Sequence, residues 1–110
     1  MHTSTTSTVP LEPWTAAQLA DATQGYWLNE KVPQGNIKRI LTDSRDAEKA
    51  DAFLALQGER FDAHDFVAQV AANGCEVAIV SHPVDADICQ FVVEDTRLAL
   101  GHLGAYRRAQ

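Results

Sequence analysis

The sequence predicts a layered α/β fold with a largely parallel central sheet, on three observations. "EVAIVS" (76–81) and "QFVVE" (90–94) are apolar, β-branched runs of the kind carried by strands buried on both faces. From residue 52 onward, strand-like and helix-like segments alternate, the pattern of strands joined by crossover helices. The 110 residues, 45% hydrophobic and 22% charged, suit one ordinary globular core and are too few for two.

Taken in order, residues 14–24 read as the first helix. Thr15 can cap it, Gln18 stands three residues on for a capping box, and Gly25 suits the left-handed residue that ends it. Leu19 and Ala22, with Trp14 just outside, supply the buried stripe. "YWL" is short and aromatic, an edge strand, and the turn-rich "NEKVPQGN" comes next. Residues 37–42 form the next strand, with Ile40 and Leu41 at its apolar centre and Asp43, Ser44 and Arg45 on the loop after it. "AFLAL" (52–56) is a buried strand that ends at Gly58. Residues 66–73 have Phe66, Val67, Val70 and Ala71 at helical spacing, opened by Asp62 or His64 and closed by Gly74. After the two apolar strands, residues 96–110 are helical, with Asp95 as N-cap and Leu98, Leu100, Leu103 and Tyr106 among the apolar positions.

Composition excludes several functions. A formal net charge of −6 opposes a phosphate backbone, so a nucleic-acid partner is not expected. Cys75 and Cys89 lie in apolar stretches outside any CxxC motif and read as reduced, buried thiols. His2, His64, His82 and His102 are scattered without metal-ligand spacing. The polar start, "MHTSTTSTVPLEP", lacks the basic and apolar regions of a secretory signal, and no apolar run approaches a membrane span. A cytoplasmic protein with a flexible tail over residues 1–13 is expected. The final helix runs out at "YRRAQ" without a stop signal, which reads as the first domain of a longer protein.

Two loops carry the candidate chemistry. Asp43, Ser44 and Arg45 place a hydroxyl beside a guanidinium at a strand's carboxyl end, where α/β sheets collect ligands. Spacing alone favours the plainer alternative, an Asx-type turn with a solvated Arg. Gly58 allows close backbone approach, and Glu59 and Arg60 come after it beside a helix start that favours anions. There the plainer reading makes Asp62 a helix cap and leaves Glu59 and Arg60 in solvent. His64 has no partner placed by sequence, so it is not read as a general base. GxxxxGK[ST], GxGxxG and GxSxG motifs are all absent from the sequence, and no catalytic constellation can be assembled from the chain alone.

"TDSRD", "AFLALQGERFDAHDF", "ANGCEVAIVS" and "VVEDTRLALGHLGAYRR" occur in that order, and together they resemble the N-terminal domain of the Mur ligases. Within that family they resemble the D-alanyl-D-alanine-adding branch, MurF, over residues 15–110. The resemblance implies a Rossmann-like layered fold, its sheet largely parallel or mixed, over residues 14–110. It also implies central ATP-binding and C-terminal domains that this chain lacks. Ligases of this kind join D-Ala-D-Ala to UDP-MurNAc-tripeptide with ATP and Mg²⁺ through an acyl-phosphate, in cytoplasmic peptidoglycan precursor synthesis. Their N-terminal domain grips the UDP end of that substrate. The fragment alone is therefore expected to be inactive and to need no cofactor of its own. Carried over from the sibling MurE-type ligases, the UDP contacts are Thr42 and Ser44, then Glu59, Arg60 and Phe61, with Arg45 as a neighbour of the nucleotide. The sibling branch typically has a His-Gln-Ala-like triplet where this chain has "ERF", which favours the D-alanyl-D-alanine branch. Three alternatives stay open: a MurE-type domain, a non-catalytic nucleotide-binding regulatory module, and a complete small enzyme using Asp43 or His64.

Overall fold

The computed structural model describes residues 13–58 and 62–109. Helix α1 spans Ala16–Thr23, strand β1 Tyr26–Trp27, β2 Ile40–Leu41 and β3 Ala52–Leu54. Helix α2 spans Val67–Ala72, β4 Val77–Val80, β5 Cys89–Val92 and α3 Thr96–Arg108. The sheet order is β1-β5-β4-β3-β2, with β2 to β5 parallel and β1 antiparallel to β5. The expected α/β class and largely parallel sheet are therefore observed, and β1 makes the sheet mixed.

Period-two alternation sorts the strands between two cores. Ala52, Leu54, Val77, Ile79, Cys89 and Phe91 face α1 and α3. Phe53, Ala78, Val80 and Val92 face the opposite way, onto Val67 and Val70 of α2. With both faces covered, the three central strands are buried throughout, which is why they read as unbroken apolar runs. The two cysteines are free and buried in different cores, and burial pushes both thiols above their ordinary pKa. Gln90 is the buried exception on β5. Its amide accepts from Val84 N and donates to Val84 O, both at 2.8 Å, so no polar atom of that side chain is stranded.

Several boundaries differ from the expected ones. Thr15 and Gln18 form the capping box, at 3.1 and 2.9 Å, so α1 starts at Ala16. Trp14 instead bridges Ile37. Gln24, at φ 65°, takes the left-handed position assigned to Gly25. Gly25 is needed for another reason: a Cβ there would stand 2.5 Å from the Val92 carbonyl oxygen and 2.8 Å from the Phe91 ring. It lets β1 approach β5. Ile37 leaves the second strand for its bridge to Trp14, so β2 keeps only the two residues at the expected centre. The helix expected at residue 66 is preceded by a 3₁₀ turn, Ala63–Phe66, which Asp62 caps by accepting from His64 N at 2.9 Å. On α3, Leu98 and Leu100 are exposed, while Thr96, Ala99 and Leu103 are buried.

With only two residues, β2 needs support from outside its own ladder. Lys38 N donates to Ala50 O at 2.7 Å, and Ala52 N to Arg39 O at 2.8 Å. Arg39 then grips Asp51 through Nε at 3.0 Å and Nη2 at 2.8 Å. Asp51 is 1% exposed, and its second oxygen also accepts from Glu48 N at 2.9 Å. Burial pushes this carboxyl up, but the Arg39 fork and the Glu48 amide outweigh it, leaving its pKa below the ordinary value.

Asp51 is buried but Arg39 is 39% exposed as a side chain, so losing Asp51 returns the guanidinium to water and leaves the Glu48 amide without its acceptor. Asp51→Ala is expected to lower unfolding stability at neutral pH by about 1–3 kcal/mol, the weight of the hydrogen bonds it removes, read by urea denaturation. Because the folded carboxyl is the stronger acid, its stabilisation is complete above the unfolded value of about 3.9 and is lost as pH falls through the folded one. The gap between wild type and variant should therefore close below about pH 4. A gap that widened in acid would contradict this assignment.

Candidate functional site

Because β2 to β5 run parallel, the segments after them emerge at one edge of the sheet. Thr42–Arg45 comes after β2, Gln57 lies beyond β3, Ser81–His82 comes after β4, and Glu94–Arg97 lies beyond β5. Polar side chains of four separate stretches thus meet at one edge.

At the β2–β3 side of this edge lies a hollow of about 540 Å³. Thr42, Asp43, Ser44 and Arg45 form one wall, while Phe53, Ala63, Phe66 and Gln69 form the floor and the other wall. The plainer reading of the first loop is correct as far as it goes: Asp43 Oδ1 accepts from Arg45 N at 2.9 Å, an Asx turn. The same carboxylate takes Arg45 Nε at 3.1 Å and Nη2 at 2.9 Å. The Arg45 side chain is 86% exposed, and the rest of its five N–H donors have no partner among the described residues. The hydroxyls of Thr42 and Ser44 have no protein partner among the described residues. The turn reading and the binding reading are thus compatible, since the turn is what presents the free groups.

Of the residues expected to form the site, the structure brings Thr42, Ser44 and Arg45 to this hollow. Glu59, Arg60 and Phe61 lie outside the described residues. Ala63, Phe66 and Gln69 join the hollow without having been expected there. Only Phe66 has a signal in the sequence, its helical spacing, which by itself indicates core packing.

A second cluster stands at the same edge. His64, 5% exposed, places Nδ1 2.6 Å from Asp62 Oδ1, while its Nε2 accepts from Ser81 N at 2.9 Å. The Ser81 hydroxyl lies 3.3 Å from the same Nε2 and donates to Gln57 Oε1 at 3.4 Å. His82 lies flat over the His64 ring, centroids 4.1 Å apart and planes 14° apart. Two of the histidines that are scattered in sequence are therefore partners in space, and His64 has the carboxylate neighbour that sequence does not supply. The backbone and ring donors of His64 hold Asp62 below the ordinary carboxylate range, against the opposing effect of burial.

The order Asp62, His64, Ser81 has the look of a nucleophilic triad, but the lone pairs exclude it. Nε2 has one in-plane lone pair, and the Ser81 amide occupies it at the shorter distance, so no base remains for the hydroxyl. The ligand atoms of Asp62, His64 and His82 also lie within 4.8 Å of one another. Stacked imidazoles direct their in-plane lone pairs alongside each other rather than at a common point, and those of His64 are already engaged. The cluster is a structural fastening.

Asp43 provides the test of the loop geometry. The Arg45 guanidinium, then the Arg45 amide, hold its carboxyl down to about 2. A ¹³C titration of the Asp43 carboxyl should find that midpoint, and Arg45→Ala should return it most of the way to the ordinary value near 3.8. An Asp43 that titrates normally in the wild type would show that the fork does not hold in solution.

Comparison with known proteins gives this geometry a context. A family model described as "Mur ligase family, catalytic domain" matches residues 36–107. The chain is 42% identical over 96 residues to the UDP-N-acetylmuramoyl-tripeptide–D-alanyl-D-alanine ligase of Escherichia coli K12, covering 87% of this chain and 21% of that protein. It is 37% identical over 65 residues to the UDP-N-acetylmuramoyl-L-alanyl-D-glutamate–2,6-diaminopimelate ligase of Aquifex aeolicus, covering 59% of this chain and 14% of that one. Among solved structures, the UDP-N-acetylmuramoylalanyl-D-glutamyl-2,6-diaminopimelate–D-alanyl-D-alanyl ligase of Acinetobacter baumannii superposes with a TM-score of 0.89 at 75% identity. That match covers 94% of this chain and 23% of the other. The chain spans about a fifth of the length of these relatives. With the matched segment covering most of the sheet and both candidate loops, the chain belongs to the Mur ligase family.

Proposed function

We propose that this chain is the substrate-recognition domain, N-terminal in its parent protein, of an ATP-dependent ligase that adds D-Ala-D-Ala to UDP-MurNAc-tripeptide. Its role is to grip the UDP end. The domain occupies residues 14–110 after a tail of residues 1–13, and the parent protein works in the cytoplasm on peptidoglycan precursors. One observation carries the reading: among the described residues, the hollow at the carboxyl edge joins two hydroxyls without a protein partner, an exposed guanidinium and an aromatic side chain. A uridine nucleotide needs that set. Thr42 and Ser44 can exchange hydrogen bonds with uracil or ribose, Phe66 can lie against the base, and Arg45 can meet a phosphate. Glu59, Arg60 and Phe61 complete the set by resemblance.

The D-alanyl-D-alanine branch is favoured by the 75% identity of the Acinetobacter structure and the 42% identity of the Escherichia protein. No helix among the described residues is long and apolar enough to cross a membrane, in keeping with a substrate met in water. Mg²⁺, which the family uses with ATP, does not fit the described part of this hollow. Among the described residues its one carboxylate, Asp43, has both oxygens committed to Arg45, leaving no free acidic group there for a hard cation. The chemistry that ATP and Mg²⁺ supply belongs to the parent protein's central domain, and no step of it is assigned to this chain.

Calorimetric titration of the 110-residue chain with UDP, CDP and UDP-MurNAc-tripeptide tests the reading. UDP should bind more tightly than CDP, and UDP-MurNAc-tripeptide at least as tightly as UDP. Ser44→Ala should weaken UDP about threefold to tenfold, the weight of one neutral hydrogen bond. Equal affinity for UDP and CDP together with an unaffected Ser44→Ala variant would sink it.

A further inference from the structure

We propose that His64 is a positioning residue for nucleotide binding: as a neutral imidazole carrying its proton on Nδ1, it pins one wall of the hollow to the carboxyl end of β4. The ligand in this inference rests on the functional reading above, whereas the pin rests on geometry alone.

His64 sits between Ala63 and Phe66, two residues that line the hollow. All three lie in a single 3₁₀ turn of four residues, which has too few internal hydrogen bonds to hold its own place. What holds it is a ring of contacts. Ala63 N donates to Leu56 O at 2.8 Å, and Gln57 pairs with Asp62 as a backbone bridge. Asp62 accepts from the His64 ring, that ring accepts from Ser81 N, and the Ser81 hydroxyl returns to Gln57. Only the His64 ring, 2% exposed as a side chain, joins the turn to β4 within this ring of contacts.

The hydrogen bonds fix the tautomer. Nε2 faces an amide N–H at 2.9 Å, so it must be the bare nitrogen, and the proton stands on Nδ1 against the Asp62 carboxylate at 2.6 Å. A second proton on Nε2 would set one N–H against another. The ring would keep Asp62 and lose Ser81. Among the described residues, the titratable groups that face it are Asp62, which favours that proton, and His82, which opposes it when charged. Glu94, Asp95 and Arg97 stand across the adjoining hollow that Gln57 and Ser81 line. A residue that only filled space would serve equally well in either protonation state. This one holds the wall only when neutral.

The experiment uses the 110-residue chain, its His64→Gln variant, and UDP as the probe, at about pH 7.5 and about pH 5.5, with the protonation of the imidazole read at each. Long-range ¹H–¹⁵N correlation of the wild-type imidazole should show the proton on Nδ1 at the higher pH. In the variant, UDP affinity at the higher pH should fall about tenfold, on the order of one lost hydrogen bond. Amide shifts at residues 63–69 should fade there, while those at 42–45 persist. Wild-type affinity should drop towards the variant's value wherever the same spectrum shows Nε2 protonated, and the variant measures whatever the titration of UDP itself contributes. An Nε2–H tautomer, equal affinities at the higher pH, or wild-type affinity that survives protonation of Nε2 would overturn the proposal. Should the variant fail to fold, the wild-type tautomer and the hydrogen exchange of the Ser81 amide decide. Protection at the higher pH that falls about tenfold on protonation of Nε2, after correction for intrinsic exchange, supports the pin; an unprotected amide at the higher pH, or protection unchanged on that protonation, overturns it. Should UDP not bind the wild type, the functional reading fails, and the same two signals still judge the pin.

Discussion

The grip of Arg39 on Asp51 is the interaction on which the placement of the site depends. Strand β2 has two residues and two ladder partners, too little to fix a register by itself. The fork at 3.0 and 2.8 Å ties the residue before β2 to the residue before β3. The Glu48 amide on the same carboxylate folds the connection between them. The Thr42–Arg45 wall, next in the chain after β2, is thereby held at a set height beside β3. Burying a carboxylate is costly unless it is paired. Here the pair, together with one backbone amide, turns that cost into a positional constraint.

Parallel strands do the rest. A sheet whose strands run one way delivers its loops to one edge, so the Asx turn after β2 and the capped 3₁₀ turn beyond β3 become opposite walls of one hollow. The turns are built alike. In each an aspartate binds the backbone N–H two residues on and also a side-chain N–H of that same residue: Asp43 with Arg45, Asp62 with His64. The first arrangement leaves hydroxyls and a guanidinium facing solvent. The second buries an imidazole as a fastening to β4.

The sheet is legible in the sequence because its signals are local: β-branched runs, a capping box, Asp95 before a long helix. The Asp43–Arg45 wall is legible too, as a polar loop at a strand's end. Other features depend on contacts that no short stretch records. Nothing in "YWLNEK" or "QFVVE" alone says that a Cβ at Gly25 would stand 2.5 Å from the Val92 carbonyl oxygen. His64 and His82 are 18 positions apart in the sequence, and only the crossover from β3 to β4 stacks them. Asp51 looks like one more acid in "DAEKAD", yet it is 1% exposed and holds the edge strand. Ala63 and Phe66 lie where a turn into a helix is expected, but their role as a wall depends on the loop that stands opposite them.

The ligand is placed between the Thr42–Arg45 loop and the Ala63–Phe66 turn, and on that placement the functional reading stands or falls. Isotope-filtered NOE spectroscopy of the ¹³C-labelled chain with unlabelled UDP reads it directly. Contacts are expected from the uracil and ribose protons to the Thr42 methyl group and to the Phe66 ring together. Contacts confined to Val32, Pro33 and Cys89, in the hollow at the opposite edge of the sheet, would contradict that placement.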